Sequence, residues 1–93
     1  MPPLTDLALD PPQPTRKRTR LSKSAFYRDI HEGLFTPPVR LGARTTAWPR
    51  HEVDALIAAR IAGATPEQLR ALVRQLVAQR AALMPSIGTI EAA

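Results

Sequence analysis

The chain has 93 residues, carries a net charge of +5 from 13 Lys plus Arg against 8 Asp plus Glu, and contains no cysteine and two histidines. This length suits one small domain and leaves little room for a deep catalytic pocket beside a core, so a binding module is expected rather than an enzyme; disulfides, thiolate metal sites and Cys nucleophiles are excluded, and two histidines are too few for most zinc sites. No apolar run approaches the ~18 residues of a membrane span, and no charged-then-apolar start marks a signal peptide, so the expected setting is the cytoplasm, at the bacterial nucleoid, with no membrane partner.

Residues 1–15 hold five prolines (Pro2, Pro3, Pro11, Pro12 and Pro14) and read as a flexible, extended arm. Leu4, Leu7 and Leu9 are placed to pin part of it to a core. Thr15 is the expected N-cap of a short helical turn over Arg16–Thr19. Ser22 is a clearer helix start. It precedes Lys23–Glu32, with Gly33 as the terminator, and Phe26 and Ile30 fall four apart on the inward face. The outward face then carries Lys23, Ser24, Tyr27, Arg28 and His31. Asp29 and Glu32 flank the last turn of this basic helix and read as local charge balance, not as a catalytic pair.

Two short apolar or β-branched runs on either side of Gly42-Ala43-Arg44 predict a hairpin, with Arg40, Arg44 and Thr45 near its tip and Trp48 as a core plug. Pro49 fits the first turn of a helix whose apolar stripe is Val53, Leu56, Ile57 and Ile61, ending at Gly63. Thr65-Pro66-Glu67-Gln68 supplies an N-cap, an N1 proline and a capping-box Gln for a final helix over about 66–84. Leu69, Leu72, Val73, Leu76, Val77, Leu83 and Met84 give it helical periodicity, and Pro85 closes it. His51, just before Glu52, reads as helix-start surface.

The charge is uneven. Residues 16–50 carry nine basic and two acidic side chains, a net +7, and the rest of the chain is −2. Against the bland reading of a biased Arg-rich surface, a basic block on one half is the footprint of phosphate contact. The element order is basic short helix, turn, basic-faced helix, hairpin, helix. That order predicts a mainly α fold with a small β-hairpin: a winged helix-turn-helix followed by a long C-terminal helix. Such a motif sets its second helix in the major groove and its wing on the backbone or minor groove, and arginine suits both because its planar fork grips phosphate or guanine at two points. The candidate DNA-binding residues are Arg16, Lys17, Arg18, Arg20, Ser22, Lys23, Ser24, Tyr27, Arg28, Arg40, Arg44 and Thr45. The expected division is an arm at 1–15, the DNA-binding domain at 16–62, the C-terminal helix at 63–85 and a tail at 86–93.

Leu21-Ser22-Lys23-Ser24-Ala25-Phe26-Tyr27-Arg28-Asp29-Ile30, Glu32-Gly33-Leu34-Phe35, Pro38-Val39-Arg40-Leu41-Gly42, Trp48 and Glu52-Val53-Asp54-Ala55 together resemble the AlpA-type regulators, small winged-helix proteins of prophages and integrative elements that are similar to excisionases. The resemblance covers about residues 19–62. It carries Ser22, Lys23, Ser24, Tyr27 and Arg28 onto the recognition helix, Arg40 to Arg44 onto the wing, and Trp48 and Val53 onto the core. The chain departs from the family at Arg20, where glycine is usual, at Thr36, where proline is common, and at Leu56, where an aromatic is common. Thr15-Arg16-Lys17-Arg18-Thr19 also lacks the usual apolar anchors, so the first helix is expected to be truncated or to take its packing from the Leu4–Leu9 arm.

The resemblance implies a DNA-binding accessory factor that binds near an attachment site, shapes the DNA and helps a site-specific integrase excise a mobile element, with no cofactor. A transcriptional regulator of integrase or excision genes is the alternative, and a helical adaptor using the long C-terminal helix is the alternative of another class. Self-association on double-stranded DNA is expected through Leu4, Leu7, Leu83 and Met84.

Overall fold

The computed structural model describes residues 6–84, in the order β1 (Leu9–Asp10), α1 (Pro12–Thr19), α2 (Lys23–His31), β2 (Val39–Arg40), β3 (Thr46–Pro49), α3 (Arg50–Ile61) and α4 (Pro66–Ala82). Leu4, Pro85 and the 86–93 tail, for which the sequence gives expectations, lie outside the described residues.

The first helix starts earlier than its prolines suggest. Pro11 is its N-cap, and Pro12 and Pro14 occupy its first turn. There a missing N–H costs nothing and a fixed φ is already helical, so prolines that elsewhere keep a chain extended here begin a helix. Thr15 is therefore not the cap but an interior residue. It is buried, and its hydroxyl donates to the Pro11 carbonyl at 2.8 Å. Thr15 is the one buried residue of α1, so the helix runs for eight residues with no large apolar anchor. It ends at Arg20, whose φ of 64° is left-handed and whose N–H returns to the Lys17 carbonyl.

Helix α2 begins as expected: the Ser22 hydroxyl accepts from the Ala25 amide at 3.2 Å. Past its end, Gly33 takes a positive φ of 78°, a turn that a side chain would strain. The hairpin forms in the predicted place. Val39 pairs with Ala47 and Arg40 with Thr46, and the Leu41 amide donates to the Thr45 carbonyl at 2.8 Å to close the tip. A third strand was not expected. Leu9 and Asp10 of the arm pair antiparallel with Pro49 and Trp48, giving the order β1-β3-β2. Pro49 thus ends β3 and serves as the N-cap of α3, one residue before the helix it was expected to open.

Phe26, Phe35, Trp48, Val53, Leu56, Leu69, Val73 and Leu76 form the core. Phe26 is its centre, with its ring 5.1 Å from Phe35 and 5.2 Å from Trp48. Trp48 is buried as expected and its indole N–H donates to the Thr36 carbonyl at 2.8 Å. Ile61 does not join the stripe and is 82% exposed. At about 100° per residue, it lies roughly 110° from the middle of the Val53–Leu56 face, so the spacing that fits by eye drifts off the core over two turns. Val77 is likewise exposed at the edge of α4. The start of α4 follows its sequence signal in full: Thr65 and Gln68 cap each other reciprocally at 3.1 and 2.9 Å.

Candidate nucleic-acid interface

Helices α1 and α2 meet across a three-residue turn, Arg20 to Ser22, which is the connection of a helix-turn-helix. With Phe26 and Ile30 turned inward, α2 presents Lys23, Ser24, Tyr27 and Arg28 to solvent. Tyr27 is 44% exposed, its ring edge-on to Phe26. Ser22 is exposed, but its hydroxyl already accepts the cap bond. Pro12, Gln13 and Arg16 of α1 and Lys23 and Tyr27 of α2 line one cleft of about 280 Å³. Arg16 also donates to the Leu21 carbonyl at 3.3 Å, and with Lys17, Arg20 and Leu21 it lines a second, shallow pocket.

Arg40, Arg44 and Thr45 are exposed on the hairpin. The base of that hairpin is fixed against α2 by the Phe26–Trp48 contact, so the wing and the basic-faced helix stand on one aromatic support.

Ion pairing divides the cations into two sets. Arg18 bonds Asp54 of α3, Arg50 bonds Asp10 of β1 at 2.7 and 2.9 Å, Arg60 bonds Asp29 at 2.8 Å and Arg80 bonds Glu52 at 2.7 Å. These four tie elements together. Lys17, Arg20, Lys23, Arg28, Arg40 and Arg44 make no salt bridge among the described residues, nor do Arg16 and Arg70, which donate to backbone carbonyls, or Arg74 on α4. Arg18, counted with the DNA-facing cations from its sequence position, is drawn to α3. The Asp10 carboxyl is held below its usual range chiefly by the hydrogen bonds from Arg50.

The scaffold pairs escape sequence reading because each joins residues about 30 or more positions apart. Asp29 does not balance charge within its own helix; it is buried and reaches Arg60 on α3. His51, expected at the helix-start surface, is half-buried, and Glu52 beside it is fully buried. One signal was available. Glu52 lies four before Leu56 and Arg80 four after Leu76, so each charge sits on its helix's apolar stripe.

Among the described residues no three His, Cys, Asp or Glu side chains gather to hold a metal ion, and no helix is long and apolar enough to cross a membrane.

The family model described as "Prophage CP4-57 regulatory protein (AlpA)" matches residues 15–61, from within α1 to the end of α3. The chain is 49% identical over 43 residues to a protein of Enterobacteria phage P4 described as "Uncharacterized protein ORF88". That alignment covers 46% of this chain and 49% of the phage protein, so the chain spans about half the length of this relative. No solved structure matches.

Proposed function

The chain belongs to the AlpA family of prophage regulatory proteins, and from that premise we propose that it binds double-stranded DNA sequence-specifically and acts as an excisionase, promoting integrase-mediated excision of a mobile element. The observation that carries the DNA-binding reading is the division of its cations. Four arginines are consumed by scaffold ion pairs; of the nine cations without one among the described residues, Lys23 and Arg28 lie on α2, Arg40 and Arg44 on the hairpin, and Arg16, Lys17 and Arg20 on α1 and the turn after it, with only Arg70 and Arg74 on α4. Lys23, Ser24, Tyr27 and Arg28 read base edges in the major groove; Arg40, Arg44 and Thr45 grip the backbone or minor groove; Arg16, Lys17 and Arg20 hold phosphates.

Copies bind side by side on repeated sites. Leu7 and Leu83 share an apolar cleft of about 420 Å³, and Met84, next to Leu83, is exposed. A contact between different surfaces of successive copies builds an open array along the duplex. Truncation after Ala82 should abolish cooperative binding to multi-site DNA.

The family's description as a prophage regulatory protein favours a second reading, which we take to be regulation of transcription of integrase or excision genes. Footprinting on the DNA flanking its own gene, with an excision assay using the neighbouring integrase, separates the two. Protection beside an attachment site together with stimulated excision supports the first reading. Protection of a promoter with excision unchanged supports the second. Equal affinity for flanking and random DNA overturns both.

A further inference from the structure

Helix α4 lies wholly outside the family match, yet two of its arginines reach the two parts of the proposed DNA interface. Arg70 Nε donates to the Glu32 carbonyl at 3.0 Å. Glu32 is the C-cap of α2, where unpaired carbonyls and the negative end of the helix dipole attract a cation. Ten residues on, about 15 Å along the helix, Arg80 Nη2 donates to the Pro37 carbonyl at 2.7 Å. Pro37 stands two residues before β2, at the root of the hairpin. The same guanidinium bonds both oxygens of the fully buried Glu52 at 2.7 Å each. The neighbouring Thr36 carbonyl is taken by Trp48 of β3, so the segment entering the wing is held from two sides.

The apolar face of α4, Leu69, Val73 and Leu76, explains why the helix docks but not how it is aligned. Apolar burial is non-directional, whereas a bond to a carbonyl fixes both distance and angle. Two such bonds at separated points along one rigid helix define its axial position against both α2 and the wing root.

We propose that α4 is a brace that sets the angle between the recognition helix and the wing, with Arg70 and Arg80 as positioning residues. The consequence for DNA rests on the binding reading above; the brace itself does not.

The chain has no native cysteine, so spin labels at Ser24→Cys on α2 and Ala43→Cys at the wing tip report their separation by pulsed dipolar spectroscopy. Arg70→Met combined with the paired replacement Glu52→Leu/Arg80→Leu removes both bonds without stranding a buried charge. The expected result is one narrow distance in the wild-type background and a shifted or broadened distribution in the brace variant, with the near-UV signal of Trp48 and cooperative urea unfolding retained. An unchanged distribution in the folded variant overturns the proposal. If the leucine pair does not fold, Arg70→Met with Arg80→Lys carries the same test, because lysine keeps a charge on Glu52 but loses the two-point grip.

A second readout uses DNA. A lost phosphate contact changes affinity by about tenfold at 0.1 M salt, from a slope of about 0.9 per phosphate. Arg44→Ala should therefore cost about that much in the wild-type background and clearly less in the brace variant, whose wing is already displaced. Equal losses in both backgrounds overturn the brace's role in binding. If the wild-type chain binds no DNA, the functional reading fails and the distance measurement still decides the brace.

Discussion

Arg20→Gly should make the protein more stable and a weaker DNA binder at once. Arg20 holds a left-handed backbone at φ 64°, which costs an L-residue roughly 1–2 kcal/mol that glycine avoids. Glycine gives back about 0.5–1 kcal/mol through the greater freedom of its unfolded state. The Arg20 side chain makes no hydrogen bond or salt bridge among the described residues, and the bond from its backbone N–H to Lys17 survives the substitution. The net gain is therefore about 0.5–1 kcal/mol. For a domain of this size that raises Tm by roughly 2–8 °C, read from the fluorescence of the lone Trp48 on heating. The same change deletes one cation from the turn, so the slope of log affinity against log salt should fall by about 0.9. Arg20→Ala is the control: it keeps the strain and loses the charge, so its Tm should stay near wild type while its salt slope falls equally. An Arg20→Gly protein that melts at or below the wild-type temperature refutes the strain account. A preserved slope removes Arg20 from the interface.

Four further outcomes are expected. Arg28→Ala should weaken binding to the cognate site by about 1–3 kcal/mol while affecting random DNA less, as measured by competition titration; equal losses on both would reduce Arg28 to a phosphate contact. Glu52→Gln should cost about 3–5 kcal/mol in urea unfolding, because it breaks a buried charge pair and leaves the Arg80 cation behind. Thr36→Val should raise stability by about 1 kcal/mol, since the Thr36 hydroxyl is buried without a hydrogen-bond partner; a loss in the urea midpoint would mean that hydroxyl is satisfied. The Asp10–Arg50 pair should weaken in acid. With Asp10 held below its ordinary value of 3.8, its contribution is full above that pH and drains as pH falls through the lower folded value. Arg50→Met should flatten this part of an acid titration of stability.

Local rules carry most of the fold. The Ser22 cap, the Gly33 stop, the Thr65–Gln68 capping box and the hairpin around Gly42 each depend on residues within a few positions of one another, so a linear reading reaches them. The outer face of α2 is legible for the same reason, once Phe26 and Ile30 fix the inner one. The misses are long-range. Nothing near Leu9 announces that it will pair with Pro49, since the partner strand lies about 40 residues away. Pro12 and Pro14 read as extended because proline's preference reverses between a helix's first turn and its interior. The buried pairs of Asp29 with Arg60 and Glu52 with Arg80 require knowing which helices cross. That also decides which cations remain outside the scaffold pairs, so the net charge of residues 16–50 locates the proposed DNA interface only coarsely.

The missing apolar anchor of α1 has a consequence for local stability. This helix carries Arg16, Lys17 and Arg18 and is held by buried Thr15, by its packing against β3 and α2 and by the solvent-facing pair of Arg18 with Asp54. Elements with little apolar burial open at low free energy ahead of global unfolding, so amide hydrogens of α1 should exchange before those of α2 and α4. Exposed ion pairs also weaken as salt screens them. Ionic strength then acts twice at the same place: it screens the proposed attraction of α1 for phosphate, and it loosens the hold of that helix on the body of the protein. Bound DNA would reverse both effects together, closing this weakly anchored helix by supplying from outside the grip that its own core omits.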